Sequence, residues 1–390
     1  MVYTGLDIIS EELPRQLKGK KIGVLCHAPS INSQFSHVNN IIGNSRECSL
    51  SAIFGPQHGV HGETQDNMIE WEGEFDQNLK IPVYSLYGMH RKPTAEMLAE
   101  TDLFLIDLQD AGARLYTYIW TVKLCMEACS ELGIPVWLLD RPNPIAPISC
   151  DGPVLNRKFF TFVGGAEIPL CHRMTIGEMA LWIKKNELPE CDLTVVKMQN
   201  WNRDMIYSDT GLPWVPPSPN LPTERSTSVY PGTVLIEALN ISEGRGTTTP
   251  FELLGAPWID AGKTINNLAA RKLPGVVFRQ HNYIPTFNKY TGELCQGIFI
   301  HVINYKLFRP VETAFHIIDA IMEVTPPGSL KFLPPPYEYE DKLMPFDILS
   351  GDEGMRKTLT LRLSLKEEIA RWARQTEIFK KKFETIELYT

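Results

Sequence analysis

The stretch that decides the fold is Leu103-Phe104-Leu105-Ile106-Asp107, together with the polar loop 108–117 that follows it. Its first four residues are all apolar, which predicts a strand buried on both faces. A helix is predicted directly after the loop, over residues 118–132, because apolar side chains recur there at helical spacing. A buried strand that passes through a polar loop into a helix is typical of a parallel α/β sheet.

The same alternation recurs on both sides of this stretch. Further strands are predicted at 21–26, 50–54, 136–140 and 193–196, and further helices at 36–44, 93–100 and 176–186. We therefore predict an α/β protein with a Rossmann-like, mainly parallel sheet and helices on both faces. In such sheets ligands bind beyond the carboxyl ends of the strands.

The pattern changes after about residue 250. A helix at 265–273, strands at 275–283 and 296–304, and a helix at 311–324 are predicted there. A Pro-rich linker at 325–340 and a terminal helix at about 357–375 follow. We predict a Rossmann-like catalytic domain over 1–250 and a smaller α+β domain over 251–390 that completes a cleft.

Composition excludes several classes of protein. The 390 residues carry 46 acidic and 38 basic side chains, a net charge of −8, which argues against nucleic-acid binding. No apolar run is long enough to span a membrane. The first residues lack a secretory signal pattern, which predicts a cytoplasmic location. The eight cysteines form no CxxC pair, which favours free, buried thiols.

Nucleotide-binding motifs are incomplete. The first strand ends in Cys26-His27-Ala28-Pro29-Ser30, which has no glycine for a dinucleotide fingerprint. Gly262-Lys263-Thr264 resembles the end of a P-loop, but Pro257 stands where the first glycine is required. We therefore predict that the protein uses no cofactor.

A metal site is the weakest interpretation of the loop after residue 57. His58, His61, Glu63 and Asp66 are close in sequence, but two intervening glycines indicate an irregular loop instead of the helix or knuckle on which zinc ligands usually lie. A hydrogen-bonding role is favoured for His58. No metal is predicted, and a metal-dependent hydrolase using His58 and His61 is kept as a third alternative.

Charged side chains follow two of the predicted strands. Asp107 and Asp110 close one strand, and Arg114 is their expected partner, either in a structural ion pair or in a ligand site. Asp140-Arg141-Pro142-Asn143-Pro144 closes another, and its prolines predict a rigid turn with a functional role. Tyr116 and Tyr118 are interpreted as a sugar-stacking wall or as core.

Glu178 has two interpretations. Thr175-Ile176-Gly177-Glu178 matches a capping box, in which Glu178 binds the first amide groups of a helix. His172 lies just before this helix, and a helix N-terminus attracts anionic ligands. Both interpretations remain open at this stage.

Taken in order, the polar loops resemble one family. The matching segments include Phe54-Gly55-Pro56-Gln57-His58-Gly59, Tyr84-Ser85-Leu86-Tyr87-Gly88, 107–118, 139–144, 174–178, 218–222, 230–233, Ser242-Glu243-Gly244-Arg245-Gly246-Thr247-Thr248 and 255–258. Over essentially the whole chain they look like the exo-acting β-N-acetylmuramidases of peptidoglycan recycling. The resemblance implies a two-domain protein with a cleft in which a terminal N-acetylmuramic acid is released from a β-1,4-linked fragment.

One position departs from that family. Many members carry glutamate where this chain has Gln57, and glycoside hydrolysis normally needs two carboxyl groups. The missing role is expected to have moved, for example to Glu63. The alternative hypothesis is a non-catalytic or re-specialised protein that binds an amino sugar on the same scaffold.

Candidate residues follow from this resemblance. The candidate catalytic groups are Glu63, Asp110, Asp140, Glu178, Glu243 and His58, with Glu237 as a further carboxyl. Arg114, Arg141 or Arg245 is expected to hold the lactyl carboxylate of the sugar. The other expected contacts to substrate are Gln57, Tyr116, Tyr118, Asn143, His172 and Asn220. The partner is a small amino sugar or glycan fragment, and a monomer or homodimer is expected.

Overall fold

The computed structural model describes residues 1–65 and 69–389 and contains twelve strands in this range. The strands are β1 (Lys21–Cys26), β2 (Ser49–Gly55), β3 (Glu74–Asp76), β4 (Ile81–Ser85), β5 (Leu103–Asp107), β6 (Val136–Leu139), β7 (Asp151–Val154), β8 (Pro169–Cys171), β9 (Leu193–Val196), β10 (Leu253–Ala256), β11 (Val276–Tyr283) and β12 (Cys295–Val302).

Seven of these strands form the main sheet, in the order β3-β4-β2-β1-β5-β6-β9. All its pairings are parallel except that of β3 with β4. The neighbouring residues Val24 and Leu25 of β1 belong to two different apolar clusters, one on each face. Burial on both faces explains the continuous apolar runs and confirms the predicted parallel α/β sheet.

Eleven α-helices lie in the described ranges. They are α1 (Gly5–Glu11), α2 (Val38–Gly43), α3 (Ala95–Leu98), α4 (Tyr118–Leu132), α5 (Ile176–Asn186), α6 (Glu224–Thr233), α7 (Ala261–Arg271), α8 (Pro310–Val324), α9 (Pro345–Ser350), α10 (Gly354–Thr360) and α11 (Leu365–Phe383). The bounds of α4 and α5 agree with the sequence prediction. The helices predicted at 36–44 and 93–100 are shorter than expected. None of the described helices is both long and apolar enough to cross a bilayer.

The C-terminal part contains a smaller antiparallel sheet, in the order β10-β12-β11. Helix α11 then returns to pack against β7. At the end of the chain, the Tyr389 hydroxyl donates a hydrogen bond of 2.7 Å to Asp140 at the end of β6. The α+β character of this part is confirmed, while the division at residue 250 stays a prediction.

Two sequence predictions in this part are wrong. The single terminal helix expected at about 357–375 is two helices, because Arg362 has a positive φ of 54° and Ser364 caps the start of α11. The segment 325–340 does not act as a simple linker. Its residue Phe332 pairs with Leu239, and Tyr337 and Glu338 line a pocket described below.

The cysteines are free thiols, as predicted from the lack of CxxC pairs. All eight are free, and all are buried except Cys48, which is partly exposed. Their thiols therefore act as small apolar side chains in the core.

The contact between α6 and α8 gives a test of the packing. A Cβ at Gly232 would lie 2.0 Å from the carbonyl oxygen of Pro310, a backbone atom that cannot turn aside. We expect Gly232→Ala to lower the free energy of unfolding by about 2 kcal/mol or more, measured by urea titration.

Gly262 in α7 is the matched control, because a Cβ there meets nothing nearer than 3.7 Å. Gly262→Ala is expected to raise stability by up to about 1 kcal/mol, since alanine favours helix. Equal stability of the two variants would contradict the close packing of α6 on α8.

Candidate active site

A pocket that is partly open to solvent lies beyond the carboxyl ends of β2 and β5. The loop after β2 contributes Gln57 and His58, and the loop after β5 contributes residues 115–118. The remaining lining residues come from later in the chain: Val163, Ser218, Asn220, Tyr230, Val234, Glu237, Arg245, Phe251, Tyr337 and Glu338. The pocket is therefore assembled from both the N-terminal and C-terminal parts.

Hydrogen bonds join the loops after β2 and β5. The Thr117 hydroxyl donates to the Gln57 side-chain oxygen at 2.7 Å, and the Tyr118 hydroxyl donates to the Gln57 carbonyl at 3.1 Å. Tyr118 also donates to the Pro217 carbonyl at 2.8 Å. The edge of Tyr116 packs on Tyr118, with ring centroids 4.6 Å apart. These contacts fix the Gln57 amide in the pocket wall.

His58 is a neutral, oriented ring. Its Nδ1 lies 2.6 Å from the Thr64 carbonyl, and because a carbonyl only accepts, Nδ1 carries the hydrogen and Nε2 is left as an acceptor. Burial lowers the pKa of His58 to about 4. The described residues bring no group of three or more His, Cys, Asp or Glu side chains together around a metal position. Asp66, one of the four residues considered for such a site, lies outside the described residues.

The opposite wall is an ion-pair network centred on Arg245. Its guanidinium bonds Glu237 at 2.6 Å and Glu243 at 3.1 Å. Lys289 binds the other oxygen of Glu243 at 3.0 Å and also donates to three backbone carbonyls. Burial opposes ionisation of Glu243, but Lys289 and Arg245 hold the pKa of this carboxyl below its ordinary value.

Glu237 is held at both oxygens. Besides the contact with Arg245, it accepts a hydrogen bond of 2.7 Å from the Tyr337 hydroxyl. The carboxylate lies on a short 3₁₀ turn (Val234–Ala238) that follows α6 directly. The network thus presents an oriented, ion-paired carboxylate to the pocket.

Glu338 is the lining carboxyl that the sequence analysis missed. It is 4% exposed, and the Tyr87 hydroxyl lies 3.4 Å from its Oε2. Burial first, and then the neighbouring Glu237, raise the pKa of Glu338 to about 7. Its position in a Pro-rich run concealed it, and the tyrosines on either side gave no guide, since Tyr337 is partly exposed and Tyr339 is 52% exposed.

Comparison with known proteins agrees with this architecture. Residues 22–225 match the family model described as exo-beta-N-acetylmuramidase NamZ, N-terminal, and residues 228–389 match its C-terminal counterpart. The peptidoglycan beta-N-acetylmuramidase NamZ of Bacillus subtilis is 46% identical over 325 residues, which are 83% of this chain and 78% of that protein.

The chain belongs to the exo-β-N-acetylmuramidase NamZ family.

Solved structures show the same fold. A DUF1343 family protein of Bacteroides fragilis has a TM-score of 0.88 at 30% identity, and a second one has 0.77 at 28%. Both comparisons cover 100% of this chain and 99% of the other chain. The fold and family expected from the polar loops are thus confirmed, and the family activity is that of a glycosidase.

Several predicted site residues of this NamZ family member line the pocket. They are Gln57, His58, Tyr116, Tyr118, Asn220, Glu237 and Arg245. Glu243 lies directly behind Arg245. Asn220 also donates to the Gln65 carbonyl at 2.7 Å, which ties the loop after β2 to the segment 218–222.

Two of the three arginines expected for the lactyl carboxylate, Arg114 and Arg141, lie outside the pocket lining and bind other groups. The predicted pairing of Arg114 with Asp107 or Asp110 is wrong, because residue 113 pairs with β8 and the buried Arg114 donates to the carbonyls of Pro153, Ile168 and Leu349. Asp107 instead binds Arg141 in a buried bidentate pair at 2.5 and 2.7 Å.

Two other candidates at strand ends hold the fold together. Asp140 accepts hydrogen bonds from Thr175, Gly177 and Tyr389, and Asn143 donates to the Met174 carbonyl. Both lie outside the pocket lining.

Asp110 and His172 are buried neighbours that do not belong to the lining. The Nε2 atom of His172 lies 3.7 Å from Oδ2 of Asp110, which is too long for a hydrogen bond. Burial raises the pKa of Asp110 to about 7 and lowers that of His172 to about 3. The proposed substitute acid Glu63 is exposed and also lies outside the lining.

Glu178 makes the contacts that a helix-capping residue is expected to make. It completes the capping box of α5 with Thr175, pairs with Arg203, and accepts a hydrogen bond of 2.8 Å from the Leu388 amide. It is fully buried and does not line the pocket.

The role of Glu178 can be tested by stability. We expect Glu178→Ala to lower the free energy of unfolding by about 3–5 kcal/mol, because it removes a buried ion-pair partner. The folded fraction should keep its kcat. The exposed Glu190→Ala is the control, with a change within about 0.5 kcal/mol. If the Glu178→Ala protein is as stable as the unaltered protein but loses kcat, this carboxyl has a catalytic role instead of a structural one.

Proposed function

We propose that this chain is a glycoside hydrolase that releases a terminal N-acetylmuramic acid from β-1,4-linked peptidoglycan fragments. The observation that carries the proposal is that Glu338 and Glu237 line one pocket in opposite electrostatic environments. Glycosidases need one carboxyl that keeps its proton and one that stays ionised. We also expect the protein to act in the cytoplasm as a monomer or homodimer.

Glu338 acts as the general acid in this proposal. A carboxyl with a pKa of about 7 is mostly protonated in slightly acidic solution and has a proton to give. Its proton passes to the glycosidic oxygen as the bond to the anomeric carbon breaks, so that the leaving sugar departs as a neutral alcohol. Water then adds to the anomeric carbon of the N-acetylmuramic acid, and the proton that this water loses restores the protonated Glu338.

Glu237 supplies the negative charge. Positive charge develops on the sugar ring in the transition state of glycoside hydrolysis. The Glu237 carboxylate, fixed by Arg245 and Tyr337, needs no reorganisation to stabilise that charge. It also raises the pKa of Glu338, which helps that carboxyl to keep its proton.

Neutral polar groups suit the hydroxyl and acetamido groups of the sugar. The Nε2 atom of His58 is an acceptor, and Gln57, Ser218 and Asn220 supply hydroxyl and amide groups at the same pocket. The lining side chains are mostly buried and the pocket is only partly open to solvent, which favours binding of a chain end and hence an exo mode of attack.

The proposal is tested by turnover. Purified protein is incubated with a chromogenic β-N-acetylmuraminide and with the N-acetylmuramic acid–N-acetylglucosamine disaccharide, and we expect release of N-acetylmuramic acid from both. The B. subtilis relative serves as the positive control. No release under conditions in which the control is active would contradict the proposal.

The second candidate is a non-catalytic amino-sugar-binding protein, and Gln57 favours it. This amide lines the pocket at the position where many family members carry glutamate. A binder would show micromolar affinity for N-acetylmuramic acid in calorimetry with no turnover, and Gln57→Glu would create activity. Turnover by the unaltered protein would exclude this candidate.

The pH dependence of kcat/KM follows from Glu338. A general acid works only when protonated, and the pKa of this carboxyl is raised to about 7. Activity is therefore expected to be full below pH 7 and to fall about tenfold for each pH unit above it. Retention of full activity two units above pH 7 would show that another group donates the proton.

A further inference from the structure

Arg91 is an arginine held by aromatic rings. Its guanidinium lies 3.7 Å from the ring centroid of Tyr339, 4.8 Å from that of Phe162 and 5.5 Å from that of Tyr87. Cation–π contacts of this kind restrict the plane of a guanidinium and leave its N–H groups able to donate within that plane.

These N–H groups make no hydrogen bond with any residue in the described ranges. The Nε atom is buried and without a partner there, and the nearest carboxylate oxygen, from Glu70, lies 3.7 Å from Nη2. Arg114, Arg141 and Arg245 differ in this respect, because each donates to carbonyls or carboxylates. Arg91 is thus oriented by the rings, and its ion pair with Glu70 is longer than a hydrogen bond.

Arg91 also lies beside the pocket. Two of the rings that hold it, Phe162 and Tyr339, are the chain neighbours of the lining residues Val163 and Glu338. The third, Tyr87, has its hydroxyl 3.4 Å from Glu338. The positive charge of Arg91 is close enough to lower the pKa of Glu338 against the effect of burial.

We propose that Arg91 is the residue that recognises the lactyl carboxylate of N-acetylmuramic acid and so selects this sugar over neutral amino sugars. A planar guanidinium with free donors binds a carboxylate in bidentate fashion. The aromatic rings reduce the entropy lost when the guanidinium is fixed on a ligand. This inference rests on the proposed function, since it assigns the specificity of the same pocket.

Two substrates separate carboxylate recognition from other roles. The first is a chromogenic β-N-acetylmuraminide, and the second is the same compound with its lactyl carboxyl converted to the amide. We expect the unaltered protein to favour the carboxylate about 10- to 100-fold in kcat/KM, the range of one charge-assisted contact. Arg91→Met should lose this preference through KM, with little change on the amide.

Arg91→Lys keeps the charge without the bidentate geometry and is expected to retain part of the preference. Arg279→Met is the matched control, because Arg279 also stacks on an aromatic ring, that of Phe299, but lies on β11 and lines no part of the pocket. It should behave as the unaltered protein. Melting temperatures of all variants show whether each one is folded.

Equal loss of kcat/KM on both substrates in Arg91→Met, or no preference for the carboxylate in the unaltered protein, would overturn the inference. If the unaltered protein turns over neither substrate, the proposed hydrolysis fails, and Arg91 is judged by calorimetry with N-acetylmuramic acid and its amide. If the unaltered protein binds the acid more tightly than the amide and Arg91→Met does not, the assignment of Arg91 to the carboxylate is supported although the proposed hydrolysis has failed. Equal binding of acid and amide would refute it.

Discussion

The position of Arg245 between Glu237 and Glu243 is the interaction on which the rest of the pocket depends. Three glutamates lie in or directly behind one buried wall, and two cations, Arg245 and Lys289, are bound among them. Arg245 and Lys289 together balance Glu237 and Glu243. A further negative charge on Glu338 is disfavoured by burial and by Glu237, so this carboxyl keeps its proton up to about pH 7.

This charge arrangement joins two distant parts of the chain. The loops after β2 and β5 supply neutral hydrogen-bonding groups, as expected at the carboxyl ends of parallel strands. The carboxyls come from residues 237 and 338, which flank the C-terminal sheet in sequence. The loops after β2 and β5 and the two carboxyls are far apart in sequence, and they come together only in the folded chain, where the pocket forms.

Much of the fold follows from the sequence. Strands β1, β5 and β9 and helices α4 and α5 were predicted with their correct bounds or within one residue. A strand buried on both faces leaves a continuous apolar run in the sequence, and a helix buried on one face leaves a helical period. Strands β3, β4, β7, β8 and β10 were missed. All of them except the three-residue β3 contain a proline or a glycine, which are unusual inside strands. The terminal helix was predicted as one because its break depends on the positive φ of Arg362, which apolar spacing does not reveal.

The site was harder to predict than the fold, because a polar side chain at a strand end can either contact a ligand or stabilise the fold. Asp140 and Glu178 were proposed as catalytic because each is a carboxyl at a strand end or a helix start. The same position also allows the contacts that the structure shows, with a helix amide and with the end of the chain. Glu338 was missed because its burial is a tertiary property of a Pro-rich segment. What distinguishes these carboxyls is which of them faces the pocket, and sequence does not carry that information.

The most direct test of the account is the response of Glu338→Gln to the leaving group. A general acid matters most when the leaving group is a poor one. We expect Glu338→Gln to lose about 100- to 10,000-fold in kcat/KM on the natural disaccharide but far less on a dinitrophenyl glycoside, whose leaving group needs no proton. The exposed Asp341→Asn serves as the control. Equal losses on both substrates, or no loss on the disaccharide, would contradict the assignment of Glu338 as the acid.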